Sequence, residues 1–400
     1  ELAFVSPQRL LAPPAPFKLQ LRILQVDRGN VYHTDLETIA KIRLEPHEQD
    51  PHLIWQKHLE AFNVERVTKE FFESYKRVLE LLKAELFKQR KGTLTQVHAF
   101  AQQLLNRLMF LYFLQKKGWL KWADGTADKR YIRTLWGKYQ EASTRKDTFY
   151  SLWLASLFFE AFRRRFGFMN RSLPQEVKDS FRLMPFLNGG LFTENELDEL
   201  GFQVSDAIFE VLIGTPEQPG LLERYNFTVR EDLPLEVEVA VDPEMLGKVY
   251  ESLVVEEERH QVGIFYTPRV EIDYMCRLSL IEYLKTSTGL SKEVLISFIL
   301  NPDEAKALNL SEREWRTIQR ALDEVKVVDP AVGSGSFLVG MMNVLVGLYR
   351  GITHRLREPL NEFALKRKII AQNLYGVDIK EWAVRVCELR LWLSLIIESD

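Results

Sequence analysis

Residues 325–340, Val-Lys-Val-Val-Asp-Pro-Ala-Val-Gly-Ser-Gly-Ser-Phe-Leu-Val-Gly, constrain the fold of this chain more than any other stretch. Val325, Val327 and Val328 form a short apolar run that predicts a buried parallel strand. Asp329-Pro330-Ala331 ends that strand, and Gly333-Ser334-Gly335 makes a turn that only small residues can take. Ser336 then opens an apolar helix from Phe337 to about Tyr349. A strand, a glycine turn and a helix N-terminus together predict a pocket for a polar ligand. The first amides of the helix lack partners there, and glycine lets a ligand approach the backbone.

The details of the turn exclude two common ligands. No Gly-x-x-x-x-Gly-Lys-Ser/Thr occurs in the chain, so the turn is not a phosphate loop. The dinucleotide fingerprint fits poorly, because Leu338 stands where its third glycine belongs and Gly340 comes two residues late. Asn373-Leu-Tyr-Gly-Val-Asp378 predicts a second strand that ends in an acid, where a ribose-binding carboxylate belongs. Asp378 lies more than twice as far past Gly335 as the roughly 20 residues expected of a dehydrogenase. The excess is an inserted segment, Arg350 to about Gln372, carrying Arg355, Arg357, Lys366, Arg367 and Lys368. Upstream, Gly263-Ile-Phe-Tyr-Thr-Pro268-Arg269 precedes a predicted amphipathic helix, Val270–Leu284. Thr267 is suited to cap that helix and Pro268 to begin it. Alone, an acid ending a strand is a solvated turn and a Thr-Pro is a helix start; their order along the chain is what carries information.

The Asp-Pro-Ala-x-Gly-Ser-Gly form resembles motif I of S-adenosylmethionine-dependent DNA methyltransferases that modify exocyclic amino groups. Asn373–Asp378 resembles their motif II, and Phe265-Tyr266-Thr267-Pro268 resembles motif X, whose helix packs beside the methionine end of the cofactor. Motif X, then I, then II is the gamma arrangement of adenine-N6 methyltransferases. The resemblance implies that Asp329 faces the methionine ammonium of S-adenosylmethionine. It implies that Gly333 and Gly335 admit the cofactor to the backbone and that Asp378 accepts from the ribose hydroxyls. The implied cofactor-binding set is Phe265, Tyr266, Thr267, Pro268, Asp329, Pro330, Ala331, Gly333, Ser334, Gly335, Asp378 and Ile379. The catalytic Asn-Pro-Pro-Tyr/Phe or Asp-Pro-Pro-Tyr does not occur in the 400 residues. Asn301-Pro302 is followed by Asp303-Glu304 and precedes motif I, so no catalytic residue is assigned. The chain is therefore expected to be a fragment, truncated before the methyl-transfer motif and inactive by itself.

From about Asn63 the pattern turns helical. Val64, Val67, Phe71, Tyr75, Val78 and Leu82 recur at steps of three and four. A second helix is predicted over Thr95–Lys117, stopped by Gly118, and a third, dense in Phe, Leu and Trp, over Asp147–Phe166. This region resembles the segment between nuclease and methyltransferase parts of large single-chain type IIG restriction–modification enzymes. Asn63–Tyr75, Gln102–Trp119, Phe186–Phe192, Tyr225–Asp232 and Asp242–Glu251 carry that resemblance. The fold class expected is a mainly α helical domain followed by the start of an α/β Rossmann-like S-adenosylmethionine-dependent methyltransferase domain. The domains expected are an extended linker or upstream remnant over 1–60, a helical spacer over 61–235, and the methyltransferase part over 236–400. In the first of these, Ala12-Pro13-Pro14-Ala15-Pro16 reads as linker and Phe17–Val26 as an edge strand.

Composition sets outer bounds. The chain is 46% hydrophobic and 27% charged, ordinary for a soluble protein of two or more domains. Its two cysteines, Cys276 and Cys387, lie inside apolar helical patterns, which excludes a disulfide framework, disfavours a zinc site and fits a reducing cytoplasm. No secretory signal or run of about 20 apolar residues points to a membrane. The formal net charge of −3 does not announce a nucleic-acid binder. Contact with double-stranded DNA, implied by the resemblance, must then be local; Arg163-Arg164-Arg165 and Lys129-Arg130 with Arg133 could reach phosphates, or be solvated helix faces. An endonuclease needs an acid and a Glu/Asp-x-Lys pair around Mg2+. Glu176-Val-Lys178, Glu304-Ala-Lys306 and Glu324-Val-Lys326 match the short pattern without a fitting strand context, and His33, Asp35 and Glu37 are a weak metal-cluster candidate. The Mg2+ centre of a fused nuclease is expected upstream of Glu1. Alternatives are a modification-only phage-defence methyltransferase, or a non-catalytic helical scaffold that binds DNA or a partner.

Overall fold

The computed structural model describes residues 2–9, 19–166, 172–187, 190–229, 236–245, 247 and 267–398. They fall into two units, Glu1–Met245 and Leu246–Asp400, both mostly helical.

The first unit opens with a small sheet. Strand β1 (Leu2–Arg9) pairs antiparallel with β2 (Leu19–Val26), and β3 (Glu236–Glu238) pairs with β2 in parallel. The order β1-β2-β3 makes β2 the central strand; the edge strand expected over Phe17–Val26 is corrected. The pairing also holds residues 236–245 to the first unit, with Val239 N–H donating to Ile23 O at 2.8 Å. Val241 adds two more such bonds, donating to Asn226 O at 2.8 Å and accepting from Thr228 N–H at 2.9 Å. Residues 1–60 are more than linker, since α1 (His33–Ile42) and α2 (Pro51–Ala61) follow the sheet. Asp50 caps α2 by accepting from His52 N–H, and Pro51 takes the first helical position, where no amide is needed.

Two long helices carry the core of this unit. Helix α3 (Val64–Lys88) starts at Asn63, whose side chain accepts from Arg66 N–H, and buries Val67, Phe71, Tyr75, Val78 and Leu82 on one face. Helix α4 (Leu94–Lys117) starts in a Thr93–Gln96 capping box and stops at Gly118, at φ 80°. Its residues Leu104, Leu105 and Leu108–Leu114 are all buried, so apolar side chains surround it on every side. Around it lie α5 (Tyr131–Ala142), two π-helical pieces (Phe149–Leu154 and Ser156–Ala161), α6 (Gln175–Arg182), α7 (Glu196–Glu199), α8 (Asp206–Leu212) and α9 (Leu221–Arg224). The third predicted helix is thus present but wound with the wider π repeat. Asn226, 1% exposed, ties sheet to helices. Its amide donates to Gln25 O and Asp35 Oδ1, both at 3.2 Å, and its oxygen accepts from Lys116 Nζ at 2.7 Å.

The second unit runs α10 (Arg269–Thr288), α11 (Lys292–Leu300), α12 (Glu312–Glu324), β4 (Val327–Asp329), α13 (Ser336–Leu356), α14 (Glu362–Gln372), β5 (Leu374–Gly376) and α15 (Glu381–Ile396). Strands β4 and β5 are parallel, with Val327, Val328 and Asp329 opposite Leu374, Tyr375 and Gly376. Helix α13 is the central element. It is long and apolar enough to cross a membrane, but 67% of that window is buried inside the unit. Gly340 lets α10 come close, since a Cβ there would lie 2.5 Å from Ile272 Cγ2. Val328 is 61% exposed, as are its register partner Tyr375 and Val377 to lesser degrees. The expected burial of Val328 is corrected: among the described residues, side chains pack on only one face of the strand pair.

Asn373 joins the end of α12 to both strands. Its buried amide donates to Leu322 O (3.4 Å), Asp323 O (3.2 Å) and Val325 O (2.8 Å), carbonyls left without helical partners. Its own carbonyl accepts from Val327 N–H at 2.8 Å and so starts the ladder.

Candidate cofactor site

The parallel register sets Asp329 and Asp378 at the C-terminal ends of neighbouring strands. Val377 N–H donates to Asp329 O and Val332 N–H to Val377 O, both at 2.9 Å, which extends the pairing past both strand ends. The glycine turn is then held from two sides. Gly333 N–H donates to Asp378 Oδ2 at 2.9 Å, and Gly335 N–H closes the turn onto Val332 O at 2.8 Å. The other Asp378 oxygen accepts from Lys380 N–H at 2.9 Å, where α15 begins. Asp378 thus binds both the turn and the Lys380 amide just ahead of α15, and its carboxylate keeps lone pairs for further donors.

Both turn glycines have left-handed backbone, Gly333 at φ 50° and Gly335 at φ 87°. They differ in surroundings. A Cβ on Gly333 would meet nothing within 4 Å, whereas on Gly335 it would lie 2.5 Å from Cys387 Sγ. Gly335 is the N-cap of α13, and no side chain among the described residues caps its first amides.

Asp329 accepts from Ala331 N–H at 3.1 Å. Burial, and then the neighbouring Asp378 charge, raise its carboxyl above the ordinary carboxylate range, and the Ala331 bond only partly opposes this. A cation bound between two carboxylates would relieve that repulsion. Beside Asp329 opens a cavity of about 450 Å3, lined by α10 (Met275, Cys276, Tyr283), by β4 and by Phe337 and Met341 of α13. Cys276 closes its floor, and burial pushes that thiol up to about 12, so it packs as a neutral group.

Of the predicted set, Asp329, Pro330, Ala331, Gly333, Ser334, Gly335 and Asp378 lie on the turn and the adjacent strand end, with Ser334 and Gly335 buried; Ile379 is 82% exposed. Phe265 and Tyr266 lie outside the described residues. Thr267 does not cap α10: the N-cap is Pro268, without a side-chain hydrogen bond. Arg390, on α15, was not anticipated from sequence. It is 2% exposed, and its Nη1 donates to Ser334 O (2.9 Å), Ser334 Oγ (3.1 Å) and Ser336 Oγ (3.0 Å). Its one signal was a lone charge inside the apolar run Leu389–Leu393.

Several of the other candidates have partners within the chain. Lys129 pairs with Asp27 at 2.7 Å, Arg130 with Glu223 at 2.7 Å, and Arg164 lies over Phe186. In the inserted segment, Lys366 is buried and pairs with Glu398 at 2.7 Å. His33 pairs with Glu37 at 2.9 Å, while Asp35 is fully buried and accepts from Tyr32 N–H at 3.0 Å. Glu176 lies on α6 and pairs with Lys138. Among the described residues, no group of three or more His, Cys, Asp or Glu could hold a metal.

Comparison with known proteins gives the class first. The chain is homologous to proteins named as DNA methyltransferases and restriction–modification enzymes. A candidate type II restriction enzyme and methyltransferase of Methanocaldococcus jannaschii is 33% identical over 314 residues, covering 75% of this chain and 25% of that protein. DNA methyltransferase A of Bacillus subtilis is 25% identical over 228 residues, 56% of this chain and 22% of that protein. The adenine-specific methyltransferase PglX of Lacticaseibacillus casei is 23% identical over 217 residues, 48% and 17% respectively. The chain thus spans a quarter or less of the length of these relatives. At family level, residues 305–397, from before β4 into α15, match the model described as MmeI, DNA-methyltransferase domain. The structure of the type IIL restriction–modification enzyme MmeI in complex with DNA is similar at 18% identity and a TM-score of 0.47, covering 81% of this chain and 36% of that one.

Proposed function

We propose that the second unit is the cofactor-binding part of a Rossmann-like, S-adenosylmethionine-dependent methyltransferase domain. The protein it belongs to would methylate adenine N6 in double-stranded DNA as part of a type IIG restriction–modification system. The observation that carries this reading is the pair of acids, Asp329 and Asp378, at adjacent parallel strand ends, with a glycine turn bonded to one of them through Gly333 N–H.

The residues fit the cofactor. Asp329, crowded by a second carboxylate, suits a cationic ammonium. Asp378, already oriented by two backbone amides, suits the vicinal hydroxyls of a ribose, and Ile379 presents an apolar surface next to it. The unfilled N-terminus of α13 suits a carboxylate. Bound S-adenosylmethionine supplies an electrophilic methyl group on sulfur. The part of this chain is to hold the donor and to keep its charge matched by carboxylates from below.

Titration of the full-length protein with S-adenosylhomocysteine tests the site. Asp329→Asn removes one charge-assisted hydrogen bond, worth about 1.5–3 kcal/mol, so affinity should fall roughly 10- to 150-fold. Asp378→Ala should act likewise. Unchanged affinity in both variants sinks the assignment. Nucleoside analysis of treated DNA should find N6-methyladenine, and a methylated cytosine in its place would reject the adenine reading.

A further inference from the structure

The glycine turn does not keep its own shape. It is short, contains two glycines and has no side-chain cap, so its conformation must be imposed from outside. Helix α15 supplies that constraint. Cys387 fills the space above Gly335 where a Cβ would sit. One turn on, Arg390 reaches under the turn and makes three hydrogen bonds within it. Gly247 closes the opposite side, since a Cβ there would lie 2.4 Å from Ser334 Oγ and 3.4 Å from Arg390 Nη1. The side chain that grips the turn is therefore enclosed, at 2% exposure.

We infer that Arg390 is a positioning residue for the cofactor turn: it touches no ligand, but fixes the peptide planes of Ser334–Ser336 and hence the direction of the amides that meet the donor. The inference rests on the reading of this site as a cofactor site. Its logic is geometric. A guanidinium bonded to the Ser334 carbonyl fixes the Ser334–Gly335 peptide, whose own amide closes the turn onto Val332 O, and so sets the path of the backbone into the first turn of α13. By accepting from Arg390, the Ser334 and Ser336 hydroxyls are also kept from folding over the α13 N-terminus as local caps. The same helix begins at Lys380, whose amide is bonded to Asp378. Arg390 and the ribose acid are thus set by one rigid element, and the turn is suspended between them.

The experiment uses the full-length protein with Arg390→Lys, Arg390→Met and Ser336→Ala, and with Asp329→Asn as a control. Lysine keeps the charge and the stem but cannot make all three bonds; Ser336→Ala removes one acceptor and leaves the core intact. Affinity for S-adenosylhomocysteine should fall about 10- to 100-fold in Arg390→Lys, as expected when binding groups are displaced by about 1 Å, and less in Ser336→Ala. The KM for S-adenosylmethionine should rise in step, while kcat at saturating cofactor and the KM for DNA stay near the unsubstituted values. If Arg390→Met does not fold, the two milder variants decide the matter. Wild-type affinity in folded Arg390→Lys and Ser336→Ala, with Asp329→Asn impaired, overturns the positioning role alone. If the unsubstituted protein does not bind, or Asp329→Asn binds normally, the cofactor reading itself fails, and this inference with it.

Discussion

Gly335→Ala tests the turn through two separable costs. The backbone at φ 87° and ψ 18° is left-handed, which a Cβ disfavours by about 1–2 kcal/mol. The added methyl would also lie 2.5 Å from Cys387 Sγ, 2.9 Å from its Cβ and 3.1 Å from its Cα, and overpacking of this kind costs about 1–3 kcal/mol. Together they amount to roughly 2–5 kcal/mol, a large share of the 5–15 kcal/mol that ordinarily separates folded from unfolded states. Cys387→Ala alone removes one buried sulfur, at a cost of about 1 kcal/mol. It should return about 1–2 kcal/mol when combined with Gly335→Ala, because the nearest clash goes but the Cβ contact stays. Gly335→Asn separates the terms differently: asparagine tolerates the left-handed region but still carries the clashing Cβ. The chain has two units, so the measurement must report on the second one alone. Urea dependence of hydrogen exchange in peptides from α13 and α15 does so. Strict additivity of Gly335→Ala and Cys387→Ala, within about 0.3–0.5 kcal/mol, would refute the proposed contact.

Three further outcomes follow from named contacts. Asn373→Ala leaves three carbonyls without their donor, those of Leu322 and Val325 buried and that of Asp323 partly so, at about 1–3 kcal/mol for each group that water cannot reach. It should loosen β4 and β5 together, seen as faster exchange at Val327 and Val377. In the first unit, Arg107 is 1% exposed at its side chain and pairs with Asp198 at 2.6 Å and 2.8 Å; it also donates to Leu191 O at 2.7 Å. Arg107→Met strands a buried carboxylate and should cost about 3–5 kcal/mol, with much of that returned when Asp198→Leu is added; equal destabilisation in single and double variants would contradict the pairing. Asp329 gives a pH dependence of defined sign. Its carboxyl is raised by burial and by Asp378, so its ionisation opposes folding: the stability it contributes is full below the unfolded pKa and is lost as pH rises through the native one. Affinity for a cationic donor should run the other way, weakening as pH falls through that raised value. Asp329→Asn should flatten both profiles, and a pH-independent affinity in the unsubstituted protein would count against the ammonium contact.

The strands, turn and long helices were legible because each rests on local chemistry. Asp329-Pro330 ends a strand wherever it occurs in such a run, Gly118 stops a helix, and the spacing of Val67, Phe71, Tyr75, Val78 and Leu82 defines a face. The start of α4 was missed by one residue, because Thr93 and Gln96 make a capping box that the apolar count does not weigh. Long-range pairing was beyond local reading. Nothing in Glu236–Glu238 announces that it adds to β2 and carries the unit boundary with it. Lys129 and Arg130 read as available charges only until Asp27 and Glu223 are found beside them, one from the N-terminal segment and one from α9. Arg390 was hidden for the same reason: its partners lie more than 50 residues earlier in the chain.

What distinguishes the turn from ordinary packing is that several local preferences fail at one place. Burial, with a smaller contribution from the charge of Asp378 at the adjacent strand end, raises the Asp329 carboxyl. A helix begins on a left-handed glycine that cannot cap it, although Ser334 and Ser336 on either side could. Those two hydroxyls are instead bonded to a buried arginine, a costly group to place inside a core. The raised acid and the buried guanidinium each oppose folding when taken alone. Three such features within one turn are what the proposed cofactor site would need. A zwitterion with an adjacent ribose answers each of them: its cation relieves the acids, its carboxylate satisfies the bare amides, and its hydroxyls use the remaining lone pairs of Asp378. On the proposed reading, a neutral or purely anionic ligand would leave the acid pair unrelieved, so charge, more than shape, would select the cofactor.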